Sequence, residues 1–351
     1  MIPVPSPIPS RSKLDAVFEG GGVRGIGLVG AIAVVEETGY AFENVAGTSA
    51  GAIVAALVAA GYSAAELKTA IESIDFRRIT DTNVLGKIPF VGALANILGQ
   101  FGIYQGDYFL GLIRELLAAK GKRTFADVIM PAYAADTQYR YKVQVVASDI
   151  TRGRMLVLPG DVRDYGLVPD ALEIALAVRM SMSIPLFFRP VRLRSTRPGE
   201  GVSLIVDGGL LSDFPVELMD TQGTPDWPTF GFRLVESATP SVERYPVQGP
   251  ISYLKAIMGT AMSAHDARYV ATHNFVRSIL IPTLGVSSTN FALDTVTRDA
   301  LYQSGRAGAT EFLAHWNFEE YKATFRSGSP EPRRRDLTNP TVPVVPPTPV
   351  V

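Results

Sequence analysis

The run Gly47-Thr48-Ser49-Ala50-Gly51 decides how this chain is read. It stands between a short apolar run, Asn44 to Ala46, and an alanine-rich stretch, Ala52 to Ala60. That context reads as strand, sharp turn, helix. A serine in such a turn presents its Oγ at a helix N-terminus. Flanking glycines let the backbone turn tightly and let helix and strand pack closely. Ser49 is therefore the candidate nucleophile of a serine hydrolase, supported by Gly47 and Gly51. The pentapeptide alone does not fix the chemistry, and its surroundings must supply the rest.

Upstream, Asp15 to Glu19 reads as a short strand. Gly20-Gly21-Gly22-Val23-Arg24-Gly25 follows, and then a helix over Ile26 to Glu37. Consecutive glycines between a strand and a helix expose backbone N–H groups in one concavity, a ready anion hole. Gly20, Gly22 and Gly25 also match a dinucleotide-binding spacing. That reading needs an acidic residue about 20 positions on, at the end of the next strand. Glu43 precedes that strand instead, and the strand ends in the serine turn.

Further along, Ser63 to Glu66 is a capping-box pattern that opens a helix to about Ile74. Asp107 fits as the N-cap of a helix through Ala119. Strands are expected over 142–148, 154–158, 202–206, 229–235 and 275–282, and helices over 171–182, 253–271 and 297–316. This alternation predicts an α/β fold with a mainly parallel sheet covered on both faces, a three-layer α/β/α arrangement.

Acyl transfer needs a base as well as a nucleophile and oxyanion donors. The chain holds only His265, His273 and His315, all in its last quarter and in or near expected helices. Asp207 is the better candidate. It ends the hydrophobic strand over 202–206 and is followed by Gly208 and Gly209. Catalytic groups in open α/β sheets gather at the carboxyl ends of strands. Asp149 also follows a strand, but Thr151-Arg152-Gly153 makes it a turn residue.

Composition sets the bounds. With 351 residues, 47% hydrophobic and 19% charged, the chain can bury a substantial core. A formal net charge of −1 gives no electrostatic reason to bind nucleic acid. The absence of cysteine excludes disulfides, thiolate metal sites and a cysteine nucleophile. No calcium-loop or acidic-cluster pattern is visible, so no metal or cofactor is expected. Met1 to Lys13 is rich in proline and serine and lacks the apolar stretch of a signal peptide. No apolar run of spanning length is uninterrupted, so a cytoplasmic or peripheral membrane location is expected. Three segments follow: a flexible 1–13, a domain over 14–325, and a proline-rich tail over 326–351, expected to be disordered. The loosely patterned stretch Ile88 to Ile103 has two readings, a lid or interfacial patch and a buried helix pair.

Taken in order, the glycine run at Gly20 to Gly25, the serine turn at Gly47 to Gly51 and Asp207-Gly208-Gly209 resemble the patatin-like phospholipases. The block Ser181 to Val191 and the segment Tyr104 to Asp107 resemble that family too. The resemblance covers roughly Leu14 to Gly209. It implies a patatin-like fold and a Ser49–Asp207 dyad in place of a triad. It also implies an oxyanion hole of backbone amides around Gly21, Gly22, Val23 and Arg24, and an acyl ester of a membrane glycerolipid as substrate. Transient contact with a membrane surface follows, and a protein activator is compatible with it. Glu19 departs from the aspartate many members carry before the glycines. Arg24 is read chiefly as pinning the loop, with contact to a lipid phosphate as the other reading. Rival readings are a Ser–Asp–His triad using His265 or His273, an acyltransferase, and a non-catalytic lipid-binding or nucleotide-binding module.

Overall fold

A computed structural model describes residues 12–73, 101–221, 223–236, 276–288 and 293–326, together with 256, 260 and 290. Most of the helix expected over 253–271, most of the stretch over 88–103, the tail after 326, His265 and His273 lie outside the described residues.

The first βαβ unit follows the expected order, but its second strand is nine residues long and includes Glu43, expected to precede it. β1 (Ser12–Phe18) leads through the glycine loop into α1 (Ile26–Glu37), β2 (Tyr40–Thr48) and α2 (Ala50–Ala60). β1 starts at Ser12, two residues before the expected domain edge, because the Ser12 N–H bonds the Gly39 carbonyl. α3 (Ala64–Ser73) comes next, with Glu66 closing the expected capping box onto Ser63. After β3 (Gly102–Tyr104), α4 (Asp107–Ala119) is capped by Gly106, not by Asp107 as expected. Gly106 takes φ +78°, and a side chain there would strike the Arg179 guanidinium, so only glycine fits the cap.

β4 (Val143–Asp149) and β5 (Arg154–Leu158) form a hairpin. α5 (Ile174–Ser181) is shorter than the helix expected over 171–182. β6 (Leu186–Phe188), β7 (Val191–Arg194) and β8 (Val202–Asp207) follow, then β9 (Thr229–Val235), β10 (Ser278–Pro282), α6 (Thr295–His315) and α7 (Phe318–Phe325).

The main sheet runs β10-β9-β1-β2-β4-β8-β7, with β5 also on β4. It is parallel from β10 to β4, as the crossover helices require. Beyond β4 the pairs turn antiparallel. Alternate residues of β1 serve opposite faces: Leu14, Ala16 and Phe18 join the large core, while Val17 joins a small cluster with Ala46, Val216 and Met219.

One detail of pairing positions the site. A strand has two edges. β5 occupies one edge of β4 over residues 145–149. β2 and β8 must therefore share the other edge, β2 over residues 143–146 and β8 over residues 147–149. They approach from opposite directions and meet end to end. Thr48 pairs with Val146 and Asp207 with the next residue, Ala147. The junction is tight: a Cβ on Gly208 would lie 2.4 Å from the Val146 carbonyl and 2.8 Å from Thr48 Cγ2.

α1 is buried over its first ten residues and has no polar face until Glu36. Such a helix must be enclosed, and α6 closes over it. The two backbones approach so closely that a Cβ on Gly305 would lie 1.8 Å from the Gly27 carbonyl. Gly305→Ala is expected to lower unfolding stability by about 1–3 kcal/mol through overpacking. Gly111→Ala, mid-helix in α4 with nothing within 4 Å of its added methyl, is expected to raise it by about 0.5–1 kcal/mol. Urea unfolding of the two variants against wild type checks both signs.

Candidate active site

At the end of β2 the chain turns through Ser49, which takes φ +52° and ψ −121°. A non-glycine residue in that conformation is strained by about 1–3 kcal/mol and needs its surroundings to hold it there. Here α2 starts at once, with the Ala52 N–H bonding the Ser49 carbonyl at 2.9 Å. The Ser49 N–H is bound by Ser181 Oγ at 2.8 Å. Gly51 permits the turn, because a Cβ on it would lie 2.1 Å from the Phe18 carbonyl.

The head-on meeting of β2 and β8 brings Ser49 against Asp207. Ser49 Oγ donates to Asp207 Oδ2 at 2.7 Å. The other carboxylate oxygen, Oδ1, accepts from the Gly209 N–H at 2.8 Å. Ser49 is 4% exposed and Asp207 fully buried. Burial pushes the Asp207 carboxyl up to about 7, against the lowering effect of its bonds from Ser49 and Gly209. Met182 Sδ lies 3.5 Å from Ser49 Oγ on another side.

The glycine loop lies alongside. A Cβ on Gly20 would stand 3.2 Å from Ser49 Cβ. Gly22 takes φ +57°, and Gly22 to Gly25 form a single 3₁₀ turn into α1. The four amides named from the sequence are not equivalent. The Val23 N–H bonds the Ser288 carbonyl at 3.1 Å and the Arg24 N–H bonds the Gly21 carbonyl at 3.2 Å. The amides of Gly21 and Gly22 bond no acceptor among the described residues. Of the four amides expected at the hole, those of Val23 and Arg24 thus already have acceptors. The loop's internal turn and the segment after β10 supply them.

The neighbours of the loop have identifiable tasks. The Arg24 Nε bonds the Gly21 carbonyl at 3.2 Å, which is the pinning contact expected of it. Glu19 is buried, accepts from the Leu234 N–H and faces Arg233, tying the root of the loop to the end of β9. Asp149 accepts from the Thr151 and Arg152 N–H groups and from the Tyr165 hydroxyl. It is the turn residue the sequence suggested. His315 stands exposed in the last turn of α6, its Nδ1 3.0 Å from the Glu311 carbonyl.

Sequence reasoning missed Ser181. It lies in the quoted block Ser181 to Val191, but no motif there assigns it a task. A hydroxyl at the end of an apolar helix, shortly before Pro185, was the available signal.

Comparison with known proteins bears on the family and the fold. The model of the patatin-like phospholipase family matches residues 16–220. An uncharacterised Bacillus subtilis protein, YqhO, is 36% identical over 305 residues, covering 87% of this chain and 99% of its own length. The uncharacterised mimivirus protein R571, of Acanthamoeba polyphaga mimivirus, is 22% identical over 313 residues, covering 86% of this chain and 94% of its own. Among solved structures, VipD from Legionella pneumophila superposes with a TM-score of 0.52 at 18% identity, over 87% of this chain and 67% of VipD. That likeness concerns the fold. With the family model spanning both the serine turn and Asp207, this chain belongs to the patatin-like phospholipase family.

Proposed function

We propose that this chain is a serine lipid acyl hydrolase of phospholipase A type, cleaving acyl esters of membrane glycerolipids through Ser49 and Asp207. The observation that carries the reading is the 2.7 Å hydrogen bond from Ser49 Oγ to a fully buried carboxylate beside the glycine loop. Membership of the patatin-like phospholipase family supports a lipid ester as the substrate class.

In this reaction Ser49 Oγ attacks the acyl carbonyl while its proton passes to Asp207 Oδ2. The Gly21 and Gly22 amides receive the developing oxyanion, each contributing about 3 kcal/mol to the transition state. The ester C–O bond then breaks, and the leaving alkoxide takes the proton back from Asp207. Water next attacks the acyl-enzyme. Asp207 accepts its proton and returns it to Ser49 Oγ as the fatty acid departs. A base whose carboxyl titrates near 7 suits this role, because it is substantially ionised at neutral pH yet basic enough to take a proton.

The catalytic domain in this reading runs from Ser12 to Phe325. α6 and α7 lie beyond the family match, but Leu301 and Ala309 of α6 belong to the main core, and Tyr321 of α7 is buried against Trp316. Among the described residues no helix is long and apolar enough to cross a membrane. In the proposed reaction the substrate is drawn from a bilayer face that the protein visits.

Ser49→Ala and Asp207→Asn are each expected to lower hydrolysis of a phosphatidylcholine vesicle or a p-nitrophenyl ester by at least about 10³-fold. Alanine at His265, His273 and His315 together is expected to leave it within about twofold. Loss of activity in the histidine variant would favour a triad. An active Ser49→Ala would remove the serine mechanism altogether.

The pH dependence has two expected parts. Asp207 must be ionised to act as base, so kcat/KM falls as pH drops through about 7. Stability runs the other way. The folded carboxyl titrates near 7, whereas an unfolded aspartate titrates near about 4. Between those values the folded chain holds a proton that the unfolded chain has released. That contribution is complete at low pH and declines as pH rises through the window. Asp207→Asn is therefore expected to gain stability relative to wild type from about pH 4 to about pH 7, then level off. Thermal melts across pH 4–9 check this.

A further inference from the structure

We infer that Ser181 is a positioning residue of the reaction, and that the C-terminal turn of α5 acts as a clamp holding both halves of the dyad by their main-chain N–H groups. The inference rests on the dyad reading above.

Two residues of one turn reach the two strand ends that meet on β4. Ser181 Oγ accepts from the Ser49 N–H at 2.8 Å and donates to the Val146 carbonyl at 2.5 Å. Val146 is the β4 partner of Thr48, so this hydroxyl bridges the end of the β2–β4 ladder to the strained residue that follows it. Two positions on, the Ser183 carbonyl accepts from the Asp207 N–H at 2.9 Å. The side chain of the residue between them, Met182, meets Ser49 Oγ itself. Ser181 and Ser183 are both fully buried, so neither contact is shared with solvent.

The clamp has its own anchor. Arg179, 5% exposed, donates to Ser183 Oγ at 2.6 Å and to the Gln105 and Arg189 carbonyls at 2.6 and 3.0 Å. Ser183 Oγ donates in turn to the Arg179 carbonyl at 2.7 Å. Three segments of chain are thereby fixed around one guanidinium. The planar fork of arginine suits such a junction, since it serves several acceptors in fixed directions.

The serine at 181 has a catalytic consequence that simple filling of space would not. Neither a methyl nor a thiol can accept well from the Ser49 N–H and donate to the Val146 carbonyl at once. Without that hydroxyl, Ser49 can relax toward an ordinary backbone conformation and carry its Oγ away from Asp207. A displacement of about 1 Å between reacting groups costs up to about 10²-fold in rate.

The test compares wild type with Ser181→Ala, Ser181→Cys and Ser181→Thr. The readouts are the rate of labelling by a fluorophosphonate and kcat and KM on a soluble p-nitrophenyl ester, with a thermal melt to establish folding. Alanine and cysteine are expected to slow labelling and lower kcat by about 10- to 100-fold, with KM within about twofold. Threonine, which keeps the hydroxyl, is expected to stay within about threefold of wild type. Cysteine nearly matches serine in size and keeps the test alive where alanine fails to fold. A folded alanine or cysteine variant labelled at the wild-type rate overturns the inference. So does a loss confined to KM, or a folded threonine variant as slow as alanine. A wild type not labelled at Ser49 overturns the dyad reading itself, and this inference with it.

Discussion

Everything at the candidate site depends on one edge of one strand. β4 is long enough to pair with β2 along its first half and with β8 along its second, while β5 holds the opposite edge. Two chain ends that come from opposite directions are thus fixed one β4 residue apart. No other arrangement in the sheet would bring the residue after Thr48 against the residue that ends β8. The change from parallel to antiparallel pairing at β4 is what creates the site. A fully parallel sheet would send every strand end the same way, and the carboxylate would stand beside the serine strand, not facing it.

This arrangement carries a local energetic burden. Ser49 holds a conformation that an L-residue avoids, and Asp207 holds a fully buried carboxyl. Each is unfavourable alone. The surrounding scaffold is correspondingly rigid. α1 and α2 are enclosed along nearly their whole lengths, and glycines let α6 touch the backbone of α1. The site is assembled from main-chain hydrogen bonds and close contacts on strands and helices, elements that cannot shift singly.

Much of this was legible in the sequence. α1 and β5 match their expected limits because glycines and sharp changes of apolar period mark their ends. Ser49 and Asp207 could be named because each ends an apolar strand and is followed by a glycine-bearing turn. Three things were not legible. The short strand β7, with polar and apolar residues alternating over only four positions, lacks the length for a period to show. The division of the loop amides depends on Ser288, which lies more than 260 residues away in sequence and meets the loop only in three dimensions. The task of Ser181 depends in the same way on where Val146 and Ser49 come to rest.

The proposed pairing of a serine with an aspartate raises the question of what stands in for an imidazole. The two fully buried aspartates in this sheet supply the contrast. Asp149 ends β4 and is fully buried, but two backbone N–H groups and the Tyr165 hydroxyl bond it, and the Arg152 guanidinium lies 3.8 Å away. Both of its oxygens are thus taken up, one by the turn and the other by Tyr165. Asp207, on a strand paired with β4, has one backbone donor and the serine hydroxyl, with no cation beside it among the described residues. Burial then dominates and lifts its carboxyl into the range where an imidazole titrates. In the proposed reaction, histidine is dispensable because the protein withholds donors from this one aspartate. The basicity a triad takes from a ring nitrogen is here taken from desolvation, and any further donor turned toward Asp207 would weaken it as a base.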